Sequence, residues 1–235
     1  MNPSREPLPV GLWVPTPARL LRLLLGLALF GLGEACLVAA ALGNSPWTVL
    51  AQGISLHSPL SIGAATVAIS FVVLLLWVPL RQPPGLGTVA NAVGIGLALQ
   101  AALLVLPEHP GGVVRWALLA AGVAIVGLGS GFYLTAALGP GPRDGLMTGL
   151  HRRSGRSLRL VRGTIEVSVL VAGWLLGGTV GVGTLAFALA VGPCVQLAVE
   201  RLSTPEWRAL DRRRRFEAGL LAPEDLAEDR AGEAF

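Results

Sequence analysis

From Ala35 to Leu80 the chain carries not one Arg, Lys, Asp or Glu. A water-soluble domain spreads charge over its surface at about one residue in four, so an uncharged stretch this long has to be enclosed in an apolar phase. A protein of 235 residues is too small to build a soluble core that would hide it, whereas a bilayer hides it readily. The whole chain leans the same way, with 53% hydrophobic and 14% charged residues.

A spanning helix needs roughly 20 mostly apolar residues. Segments of that kind lie at about 18–42, 60–80, 86–106, 113–138, 160–178 and 181–202. Gly- and Pro-rich punctuation separates them: Gly43-Asn44-Ser45-Pro46, Gln82-Pro83-Pro84-Gly85, Pro107 to Gly112, Gly139-Pro140-Gly141-Pro142 and Gly177-Gly178. The expected fold is all-α and polytopic, with six transmembrane helices. The apolar run after Arg19 and Arg22 continues to Gly43, too long for the core of a cleaved signal peptide, so it reads as the first span.

All basic residues are Arg. With a cytoplasmic N-terminus, the inner side receives Arg5, Arg19, Arg22, Arg81, the cluster from Arg143 to Arg162 and every Arg from Arg201 onward, and the outer side receives Arg115 alone. The positive-inside rule therefore favours both termini in the cytoplasm. Orientation and contact with anionic lipids account for these Arg clusters, and no nucleic-acid partner is needed. Cys36 and Cys194 fall in apolar helical runs without metal-ligand spacing and read as small buried hydrophobes.

The sequence repeats itself at an offset of 96 residues without a gap. Gly31-Leu32-Gly33 falls on Gly127-Leu128-Gly129, Ala40-Ala41-Leu42-Gly43 on Ala136-Ala137-Leu138-Gly139, Pro46 on Pro142, and Gly85-Leu86-Gly87-Thr88 on Gly181-Val182-Gly183-Thr184. Residues 19–100 and 115–196 share 27 identities in 82 pairs. The chain divides into a cytoplasmic segment 1–17, unit one 18–107, unit two 108–202 and a charged cytoplasmic tail 203–235. Three spans per unit is an odd number, so the second unit enters the membrane from the opposite side, giving a 3+3 inverted-topology repeat.

After its first span each unit holds a segment too short to cross. One begins at Pro46 and Trp47, the other at Pro142. Proline at a first helical position marks both as short helices, re-entrant or interfacial. An inward-pointing N-terminus would favour an anion or a carbonyl; an interface helix would hold no ligand. The first short helix has Trp47-Thr48-Val49 where the second has Arg143-Asp144-Gly145, so a polar site here is expected to be one-sided.

Glu34 lies deep in the first span, and an intramembrane carboxylate is a functional candidate by default. It suits a bound proton or cation, or else a hydrogen bond to Ser130, its repeat counterpart, or to Gln100. Gln100 and Gln196 are in-membrane amides suited to interhelical bonds. Arg162 and Glu166, four apart, share a helix face and can pair; with Arg143 and Asp144 they form a candidate inner gate or a structural ion pair. Thr88 and Thr184 suit helix capping. His57, His109 and His151 read as dispersed loop residues. Catalytic motifs are missing from the chain, among them His-Glu-x-x-His, Gly-x-Ser-x-Gly and a phosphate-binding Gly-rich loop. An enzyme, a cofactor and a metal are therefore not expected.

At Gly43 to Trp47, Gly85 to Thr88, Gly139 to Met147, Val161 to Glu166 and Gly177 to Thr184, the chain resembles the YczE/YyaS-like, YitT-allied membrane proteins, over roughly residues 19–200. The resemblance implies a multi-pass protein of the bacterial plasma membrane and leaves its activity open. Two functions remain. One is a small-solute transporter or channel with its site between the units, Glu34, Ser130, Gln100 and Gln196 lining the path. The other is a non-transporting protein that binds a protein partner or lipid through its Arg-rich cytoplasmic face.

Overall fold

The computed structural model describes residues 11–108, 110–205, 207–209 and 211–212. Among them all regular structure is helical: α1 Pro17–Ala40, α2 Pro46–Leu56, α3 Ile62–Leu75, α4 Trp77–Leu80, α5 Leu86–Leu103, α6 Gly112–Thr135, α7 Pro142–Ser154, α8 Leu158–Leu175 and α9 Val182–Leu202. Five of these are long and apolar enough to cross a membrane: α1, α3 continued by α4, α5, α6 and α9. The expected fifth span is α8, whose Arg159, Arg162 and Glu166 keep it below that standard. Residue 109 and most of the charged tail lie outside the described residues. His151 sits in the last turn of α7 and not in a loop, because that helix runs on to a glycine stop at Gly155.

Helices α1 and α6 form a central antiparallel pair, with α5 packed on α1 and α9 on α6. Their contact is made through glycine. A Cβ on Gly33 would lie 2.7 Å from the Val126 nitrogen, and one on its repeat mate Gly129 would lie 2.5 Å from the Phe30 nitrogen. Backbones this close leave no room for a larger residue on either helix.

Both central helices stop in the same way. Ala41 and Gly43 take φ of 52° and 115°, and Ala137 and Gly139 take 56° and 116°. The left-handed turn releases three carbonyls at each end, which the helix itself cannot satisfy. Each set is satisfied by the other half of the chain. Arg115 donates from Nε to the Ala40 carbonyl at 2.8 Å and from Nη2 to the Ala41 carbonyl at 2.6 Å. Arg19 does the same to Ala136 at 2.9 Å and Ala137 at 2.7 Å. The Gly183 amide reaches the Leu42 carbonyl at 2.7 Å, and the Gly87 amide reaches that of Leu138 at 2.8 Å. Thr88 and Thr184 accept from the amides of Gly85 and Gly181, capping α5 and α9 just where these exchanges occur.

Arg19→Ala and Arg115→Ala are each expected to lower unfolding stability by about 2–3 kcal/mol, since each strips a charged donor from two carbonyls. The exposed Arg159→Ala, which removes no such bond, is expected to stay within about 0.5 kcal/mol of the unaltered chain. Denaturant titration of the purified protein checks both.

Candidate functional site: a cavity where two short helices meet

The two short helices turn back toward the centre and begin there. No side chain caps the N-terminus of α2 or of α7, although Thr16, Ser61 and Ser157 cap α1, α3 and α8. Ser45, in the capping position of α2, instead donates to both oxygens of Glu34 at 3.0 and 2.8 Å, and Thr48 donates to Glu34 Oε2 at 2.7 Å. The Glu34 carboxylate is buried, at 2% exposure, and ties the first turn of α2 to α1. A negative group beside a helix N-terminus is favoured by the helix dipole. In the second half the acid sits on the short helix: Asp144, at the position matching Thr48, accepts from Tyr133 of α6 at 2.6 Å. Each junction thus holds one carboxylate, supplied by the span in one half and by the short helix in the other.

Arg143 lies between them. Its guanidinium stacks over the Trp47 ring, 4.9 Å from the centroid, a cation–π contact that joins the two short helices. Among the described residues it donates no hydrogen bond. The charges of Glu34, Asp144 and Glu166 act on it without touching it. Arg162 is occupied elsewhere, donating to Glu166 at 2.8 Å. Around these groups lies a cavity of about 700 Å³, the size that holds a small ligand.

Further hydrogen bonds fix the short helices in place. Gln52 of α2 accepts from Asn44 and from the amide of Thr179, both at 2.8 Å. Trp77 donates to the Pro142 carbonyl at 2.9 Å and packs flat on Gly145, where any Cβ would collide with its ring.

A family of unknown function (DUF6198) matches residues 17–200. The chain belongs to that family. Similar members include an uncharacterized protein of Haemophilus influenzae, 40% identical over 79% of this chain and 85% of its own length. The uncharacterized membrane protein YczE of Bacillus subtilis is 33% identical over 65% of this chain and 71% of its own length. The uncharacterized protein YyaS of Bacillus subtilis is 27% identical over 68% of this chain and 82% of its own length. No solved structure matches. This DUF6198 chain is therefore a helical membrane protein of the YczE/YyaS kind, as the motifs from Gly43 to Thr184 imply.

Of the residues singled out in the sequence, Glu34, Ser130, Gln196, Arg143, Asp144, Arg162, Glu166, Pro46 and Trp47 all line the cavity. Gln100 does not; its side-chain oxygen accepts from the Gly63 amide and joins α5 to α3. Pro142 is buried behind Arg143 and contributes its carbonyl to Trp77. The partner expected for Glu34 is corrected: neither Ser130 nor Gln100 bonds it, because the chain reverses after α1 and delivers Ser45 and Thr48 instead. The charged pair Arg143 and Asp144 comes from the second half, and Trp47 of the first half lays its ring against Arg143. The wall also includes Asn91, an in-membrane amide like Gln100, Thr66 and Ser70, the repeat mates of Arg162 and Glu166, and Tyr133, which the sequence reading did not mark. Tyr133 is the lone Tyr of the chain, and a single phenol in an apolar span was the signal available.

Glu34→Ala strands the buried hydroxyls of Ser45 and Thr48 and is expected to cost about 2–4 kcal/mol of unfolding stability. Glu34→Gln keeps an acceptor and is expected to cost less than half as much. Parallel denaturation curves distinguish a tether of this kind from a carboxylate that contributes little to folding.

Proposed function

We propose that the protein is a small-solute transporter or channel whose site is the cavity between its two repeat-related halves. The observation that carries this reading is Arg143, a guanidinium without a hydrogen-bond partner among the described residues, placed where two uncapped helix N-termini converge. Arg143 is half-buried with its donors open to the cavity, and a solute carrying a carboxylate or phosphate takes them up in charge-assisted bonds. The charged residues of the described lining are mostly acidic: Glu34, Asp144, Glu166, Glu200 and Asp211 stand against Arg143 and Arg162. A zwitterion suits this wall better than a simple anion, with its acidic group on Arg143 and its ammonium toward Glu166 and Glu200.

The transport reading draws on symmetry. In it, α8 is the fifth of six spans, its charges confined to its first half and its second half apolar. The two units run in opposite senses across the plasma membrane, with both termini cytoplasmic as the Arg distribution favours. The matched exchanges of Arg19 with Ala136 and Arg115 with Ala40 support a two-fold relation of this kind. The short helices are re-entrant, reaching the cavity from opposite faces. Rocking of the halves about the α1–α6 pair then exposes Arg143 alternately, as in other inverted-repeat transporters.

The non-transporting alternative rests on a second cavity of about 490 Å³, lined by Arg81, Arg152 and Arg153 with Gln82. It suits anionic lipid heads at the cytoplasmic face.

In a thermal-shift panel of amino acids, phosphoamines and organic acids, at least one zwitterion is expected to raise the unfolding temperature of the purified protein, as any ligand of the folded state must. Arg143→Gln is expected to abolish that shift and, in proteoliposomes, the flux of the same compound. A shift that survives Arg143→Gln, or a panel without any hit, overturns the reading.

A further inference from the structure

The two halves differ in how their last two long helices pack, and that difference opens the cavity sideways. In the first half α3 packs tightly on α5: a Cβ on Gly63 would collide with the Gly96 carbonyl oxygen, and Gln100 accepts from the Gly63 amide at 3.2 Å. The matching helices of the second half, α8 and α9, make almost no contact. The sequence explains why. Gly63 is replaced at its repeat position by Arg159, which is exposed. Gly192, the mate of Gly96, has no atom of the described residues within 4 Å of where its Cβ would stand. Gln196, the mate of Gln100, turns along its own helix to Glu200 at 2.9 Å. The glycine seam that closes the first half is absent from the second.

The gap leads to the central cavity. On α9 it is lined by the apolar Phe187, Val191 and Val195, with a notch at Gly192, and a turn further on by Gln196 and Glu200; on α8 it is lined by Arg162 and Glu166. Arg143 and Trp47 stand at its inner end. Outside it, Leu189 of α9 and Val171 of α8 are exposed, as side chains in contact with lipid would be. A water-soluble solute uses the charged part of this lining and gains nothing from the apolar stretch at Phe187, Val191 and Val195 between two lipid-facing helices. A molecule with a charged head and a hydrocarbon chain uses all of it.

Resting on the cavity reading above, we infer that the substrate is a single-chain amphiphile with a zwitterionic head. The head's anionic group sits on Arg143, and the chain leaves between α8 and α9 into the bilayer. Entry is lateral, from the membrane.

The experiment uses the full chain in detergent and native mass spectrometry to count bound molecules. The probes share one head: lysophosphatidylethanolamine carries the chain and glycerophosphoethanolamine lacks it. The chain-bearing probe is expected to bind at least about tenfold more tightly, since a couple of buried methylenes contribute that much. Gly192→Leu fills the notch and is expected to weaken the chain-bearing probe by about tenfold on the same reasoning, leaving the head-only probe unchanged. Val191→Trp serves the same purpose if the first variant does not fold. Equal binding of the two probes, or filling variants that change neither, overturns lateral entry while leaving the cavity reading intact. A dimer that the filling variants dissociate would show that the gap holds a second copy of this chain, and overturns it too. Binding of neither probe removes the zwitterion site altogether.

Discussion

The structure depends on an exchange at the two points where its central helices stop. A helix that ends inside an apolar surrounding leaves carbonyls that neither water nor its own backbone can satisfy. Here each half supplies the other's donors: Arg115 and the Gly183 amide for the end of α1, Arg19 and the Gly87 amide for the end of α6. Neither half is complete alone. The exchange makes the left-handed turns at Ala41 and Ala137 tolerable, and those turns direct α2 and α7 back toward the centre.

Once the short helices point inward, the chemistry of the site follows. Their uncapped N-termini bring partial positive charge into a region of low dielectric. Glu34 and Asp144 offset it, each held by hydroxyl donors and each at one junction. Arg143 lies between them, supported by the Trp47 ring and left with free donors. Hydroxyls neutralise no charge, so the carboxylates keep their influence on Arg143 without forming an ion pair with it. The result is a polar cavity charged in both senses, assembled from matching positions of the two repeat-related halves.

Much of this was legible in the sequence because it is periodic. The 96-residue offset put Arg19 over Arg115 and Gly87 over Gly183, the pairs that later prove to exchange partners. The Gly-Pro breaks marked where α1 and α6 stop, and the four-residue spacing gave the Arg162–Glu166 bond. What escaped were contacts made by chain reversal. Glu34 bonds residues just downstream, through a turn whose direction is set by backbone conformation, and a repeat alignment points instead to Ser130. The stacking of Trp47 on Arg143 joins positions that are themselves repeat mates, so comparing the halves as alternatives hid their contact. The gap between α8 and α9 was visible as Gly63 against Arg159, a difference that acquires meaning only once α3 and α5 are seen to touch there.

The most direct measurement is a single-particle structure of the protein in lipid nanodiscs, resolved well enough to place the Arg143 guanidinium. The expected result is Arg143 stacked on Trp47 with non-protein density on its free nitrogens, between the starts of α2 and α7. A collapsed cavity in which Arg143 is paired directly with Glu34 or Asp144 would contradict it, because the cation would then serve the fold and leave no donor for a solute.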